Sequence, residues 1–93
     1  MGADPASYVH QLNNRAHSLR CVPVWAVYDH PTDYPDHFIA RMHVARQDGT
    51  SSPTMNALRT ERLETIQNIM RRAGLTRLPR GEDDDAKIVE TWI

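Results

Sequence analysis

Between His37 and Arg46 the side chains alternate. Phe38, Ala40, Met42 and Val44 fall on one side of an extended backbone, and His37, Ile39, Arg41, His43 and Ala45 fall on the other. A strand of this kind buries its first face and wets most of its second, which commits the chain to a sheet with a covering layer on one side.

The cover is legible further along. Leu63, Ile66, Met70 and Ala73 step by three and four, Ile69 broadens the stripe, and Glu61, Arg62, Glu64, Asn68, Arg71 and Arg72 stay outside it. Arg71 and Arg72 occupy the last turn, where the helix dipole favours cations. Gly74 beyond them supplies a left-handed residue, and Leu75 folds back on Met70. Two starts compete for this helix, Ser52-Pro53 and Thr60-Glu61; the later one is preferred, which leaves Thr54 to Arg59 as a short extended segment.

Val22 to Tyr28 is short, rich in β-branched and aromatic residues and closed by Asp29-His30-Pro31, so it reads as a strand with Pro23 at its tolerant first positions. The connection to the alternating segment is about eight residues, too short for a parallel crossover, and predicts an antiparallel pair. Leu75 to Pro79 is a short candidate strand, Lys87 to Ile93 a stronger one, and Arg80 to Ala86 a polar turn between them. At the other end, Asp4-Pro5-Ala6-Ser7 marks a helix start, and Tyr8, Leu12, Ala16 and Leu19 form its stripe, weakened by Asn13 and Asn14. The expected fold is α+β: a small antiparallel or mixed sheet of about three to four strands, packed by one main helix, with an additional N-terminal helix. Residues 1–21 are expected as a helical extension and 22–93 as a single small domain.

Leu, Ile, Val and Phe together number 18 of 93 residues, a thin supply for a core, although a net charge of -1 argues for a folded chain. Small domains with thin cores often gain stability by association, so a homodimer or a protein partner is expected. Cys21 is the only cysteine, which excludes an internal disulfide and fits a reducing cytoplasm. Met1 to Arg20 lacks the apolar run of a signal peptide, and the weakly polar stretch Cys21 to Tyr28 falls far short of a membrane helix. The charge is uneven: residues 41–80 hold eight Arg against three carboxylates, whereas residues 81–93 hold one Lys against five.

Tyr28-Asp29-His30-Pro31-Thr32-Asp33-Tyr34-Pro35, Phe38-Ile39-Ala40-Arg41 and the ending Leu78-Pro79-Arg80, Asp84-Asp85, Ile88-Val89-Glu90, Trp92-Ile93 form a pattern. In these segments the chain resembles a group of short uncharacterised bacterial and phage-associated proteins. The likeness covers roughly residues 24–93 and implies no activity, cofactor or catalytic residue.

The segment with most chemical potential is the loop from Asp29 to His37. Asp29, His30, Asp33, Asp36 and His37 offer oxygen and nitrogen donors that suit Zn or Mn, with Pro31 and Pro35 limiting the loop's freedom. Asp and Pro are also what turns ordinarily use, and neither His-Glu-x-x-His nor Cys-x-x-Cys spacing is present, so the structural reading is preferred. His37, Arg41 and His43 share a strand face and form a candidate anion patch. Arg59, Arg62, Arg71 and Arg72 are candidate phosphate contacts for a nucleic acid, against which stands a pI near 6.5. Catalytic motifs are missing: there is no Gly-x-Ser-x-Gly elbow, no P-loop, no dinucleotide fingerprint and no EF-hand, and Cys21 has no local activator. The sequence therefore predicts a non-enzymatic association or binding module without a cofactor. A metal-binding loop and an Arg-rich nucleic-acid accessory protein are the alternatives.

Overall fold

The structure, a computed structural model, describes residues 4–79 and 86–93. The chain runs α1 (Pro5–Ser18), β1 (Val22–Asp29), β2 (Phe38–Ala45), β3 (Ser51–Thr60), α2 (Leu63–Arg72), β4 (Arg77–Leu78) and β5 (Ile88–Trp92). The strands form one five-stranded sheet in the order β3-β2-β1-β5-β4, and every neighbouring pair is antiparallel. The fold is α+β, with five strands where three to four were expected. The extra strand is β3, ten residues long, which takes in the segment Thr54–Arg59 and pushes the start of α2 on to Leu63. Its weak β-propensity and Pro53 hide it in the sequence. Pairing with β2 overrides that propensity, and a register shift opposite Met42 absorbs the irregularity.

β1 and β2 pair in continuous register from Val22 opposite Ala45 to Asp29 opposite Phe38, as the short connection requires. The β2–β3 hairpin turns through Gly49 at φ +87, with Asp48 accepting from the Thr50 N–H and hydroxyl at 2.9 and 2.6 Å. These two hydrogen bonds hold the Asp48 carboxyl below its ordinary range. α2 stops as its sequence dictates. Gly74 is left-handed (φ +83), Leu75 N–H donates to the Met70 carbonyl at 3.0 Å and Gly74 N–H to that of Arg71 at 3.0 Å, the paired bonds of a Schellman closure. The expected polar turn at Arg80–Ala86 lies, apart from Ala86, outside the described residues.

Both helices cover the same side of the sheet. Trp25 and Val27 of β1, Ala40 and Met42 of β2 and Trp92 of β5 meet Val9 of α1 and Ile66, Ile69 and Met70 of α2 in one buried cluster. Trp25 and Trp92 are register partners on adjacent strands, and both are fully buried. Burying each indole is worth roughly 4–6 kcal/mol of transfer free energy, so two residues offset much of the shortage of large aliphatics. Each indole N–H has a partner: Trp25 donates to Asn13 Oδ1 at 2.8 Å and Trp92 to Glu90 Oε1 at 3.0 Å. The other Glu90 oxygen accepts from Gln67 at 3.1 Å and lies 3.6 Å from the Arg77 guanidinium.

The N-terminal helix is built into this core. Val9 is fully buried, and Asn13, which looked like a weakness in the helix, is buried as the partner of Trp25. Asp4 makes no side-chain cap. Its carboxylate instead pairs with Arg72, tying the start of α1 to the end of α2.

Candidate functional site

The second face of the sheet carries no helix among the described residues. Its floor follows from the register. Val24, Ala26 and Tyr28 of β1 lie beside His43, Arg41 and Ile39 of β2, and β3 extends the face with Ala57 opposite Arg41 and Arg59 opposite Ile39. β1 thus presents apolar or aromatic side chains on both faces, the pattern of a strand covered twice, although the helices cover it once.

Two kinds of hollow share this face. Toward β5, Val24, Ala26, Ala45 and Ile88 line an apolar depression of about 280 Å³ bordered by His43, Ser51 and Thr91. Toward β3, Arg41, Arg59 and Tyr34 line a polar one of about 410 Å³ with Ile39 and Ala57 at its floor. Between them the Tyr28 hydroxyl meets His43 Nε2 at 3.2 Å, with the rings stacked at 6.5 Å. Burial, then the neighbouring Arg41 charge, push the His43 imidazole below its ordinary value, so it is neutral at pH 7. Arg41 is itself held by the Thr54 carbonyl at 2.8 Å, and the Arg59 guanidinium lies 5.3 Å from the centre of the Tyr34 ring.

The loop after β1 folds over one end of this face. His30 has a left-handed backbone (φ +48); its Nδ1 pairs with the Asp29 carboxylate, and its ring meets Phe38 edge-on at 4.9 Å. Its N–H donates to the His37 carbonyl at 3.0 Å, closing the loop, while its own carbonyl accepts from Lys87 at 3.5 Å. Asp33 borders a small hollow with Tyr28, Pro31, Ile39 and Arg41, and Asp36 is exposed. Thus Asp29 meets His30, and Arg41 lies beside His43. Among the described residues no three His, Cys, Asp or Glu side chains come together as a metal site would need.

The four arginines considered for phosphate contact are also kept apart. Arg59 is on the uncovered face. Arg62 is bound to Glu64 at 2.8 Å, Arg71 lies over the Trp92 ring and Arg72 is paired with Asp4, all three on the helix side or its margin. Cys21 is half-buried, with its thiol 3.6 Å from the Leu19 carbonyl. No helix among the described residues is long and apolar enough to cross a membrane.

The apolar half of the site is not among the candidates the sequence offers on this side, which are His37, Arg41, His43 and Arg59, with Asp33 at its border. Its signal lay in β1, where Val24 and Ala26 alternate with Trp25 and Val27 and leave no polar face. No family model matches the chain, and neither a curated protein nor a solved structure is detectably similar to it.

Proposed function

We propose that this chain is a non-enzymatic association module whose working surface is the uncovered face of its sheet. The observation that supports this is the composition of β1, apolar on both sides while both helices lie on one. Ala26 is already buried by its neighbours on this face, and a partner laid over the apolar hollow would cover the half-buried Val24 and Ile88 beside it. A neutral His43 joined to Tyr28, rather than a charged one, suits a surface that loses its water on binding.

A photo-crosslinking side chain placed at Ala45, in the apolar hollow, tests this in the cell that makes the protein. The expected result is a discrete adduct from position 45 and none from a matched label at Glu64 on α2. An adduct of twice 10.7 kDa would identify a second copy, and one of any other mass a different protein. Failure to form an adduct at position 45 would contradict the assignment.

A further inference from the structure

The uncovered face is chemically one-sided in charge. Its strands carry the charges of Arg41 and Arg59, and no carboxylate of a described strand shares that face. Glu90 points into the helix side and is buried, and Asp29 ends β1 on the side of Trp25 and Val27. Asp33 in the loop is the carboxylate that borders it. A second copy laid on this face would bring the same Arg41 and Arg59 charges and no strand carboxylate to meet them, which disfavours a self-pair.

Resting on the association reading above, we infer that the occupant is an extended acidic peptide segment of a partner protein, with an apolar side chain in the hollow of Val24, Ala26 and Ile88 and carboxylates on Arg41 and Arg59. The spacing fits. His43, at the border of the apolar hollow, and Arg41, at the border of the basic one, are two residues apart on β2, about 7 Å, which is also the distance between side chains on one face of an extended peptide. Guanidinium groups favour planar carboxylates, and Arg41 is already oriented by its bond to the Thr54 carbonyl. A phosphate chain fits less well, because the apolar hollow offers it nothing and the other arginines of the segment face elsewhere or are paired.

The test is a selection of displayed random peptides on the immobilised full chain, followed by affinity measurements with the winners. The expected winners carry Asp or Glu two residues along from an aliphatic residue, on the same face of the extended peptide. Their binding should fall about tenfold or more in Arg59→Glu and in Arg41→Gln, and stay within about twofold in Arg62→Glu, which changes charge equally on the other side. Melting curves identify any variant that fails to fold, and Arg59, exposed and outside the core, provides the decisive one. Winners without carboxylates, winners indifferent to Arg59→Glu, no winners at all, or displacement of the winners by a single-stranded oligonucleotide would each overturn the acidic-peptide assignment. The association reading itself would still stand or fall on the adduct at position 45.

Discussion

Asn13 of α1 accepts a 2.8 Å hydrogen bond from the indole N–H of Trp25, and both residues are buried. An amide in mid-helix costs helical propensity, and here that cost is accepted because a buried indole donor without a partner would cost more. Replacing Asn13 by Leu is expected to destabilise the fold by about 1–3 kcal/mol in urea unfolding. A double-mutant cycle with Trp25→Phe should return a coupling of about 1 kcal/mol or more; additivity would show that the bond contributes nothing.

Glu90 does for Trp92 what Asn13 does for Trp25, and it also takes the amide of Gln67. Glu90→Ala strands both donors and is expected to cost about 2–3 kcal/mol, whereas Glu90→Gln keeps one acceptor oxygen and should cost less than half of that. Equal losses in the two variants, read by chemical denaturation, would mean that side-chain volume rather than acceptor chemistry holds the strand.

How much of this was legible in the sequence depends on what each residue's signal competed with. α2 announced itself because its stripe, its terminal arginines and Gly74 all agree, and each does in the structure what its chemistry dictates. β3 stayed hidden because Pro53, Asn56 and a bulge opposite Met42 give it no alternation, and its pairing with β2 is long-range information. Asn13 misled in the opposite direction, since its partner is twelve residues away in another element. Of the candidate site, Arg41 and His43 were readable from alternation alone. The apolar hollow was not, because whether Val24 and Ala26 are covered depends on which side both helices choose. The donors of the Asp29 to His37 loop looked convergent by proximity in sequence, but proximity along a turn leaves Asp36 facing solvent while Asp29 turns to His30.

The placement of Val9 makes α1 part of the core rather than an appendage. Val9→Ala removes a fully buried side chain and is expected to cost about 2 kcal/mol. At the end of α2, Gly74→Ala meets no atom within 4 Å but forces φ +83 on a side-chain-bearing residue, and should cost about 1 kcal/mol. Thermal melts of the two variants check both; an unchanged Val9→Ala would show that α1 carries no folding energy.

His43 gives stability a pH dependence. Its folded value is lowered by burial and then by Arg41, while in the unfolded chain it titrates near its ordinary 6.5. The unfolded state therefore takes up the proton first on acidification. This contribution is present above the unfolded value and is lost as pH falls through the lowered folded one. His43→Gln should flatten the fall in unfolding free energy as the pH drops below the ordinary 6.5. Identical slopes for the two proteins would assign the pH dependence to other groups.

The proposal at stake is that the helix side of the sheet folds the protein and the uncovered side binds an acidic peptide. Its most direct test is an amide NMR titration of the labelled full chain with a synthetic peptide in which each Leu stands two residues from a Glu, so that both lie on one face of the extended chain. The account predicts saturable shifts gathered on Ala26, Tyr28, Arg41, Ala45 and Thr91, with α1 and α2 unmoved. Shifts gathered on the helices, or a spectrum that does not change, would contradict it.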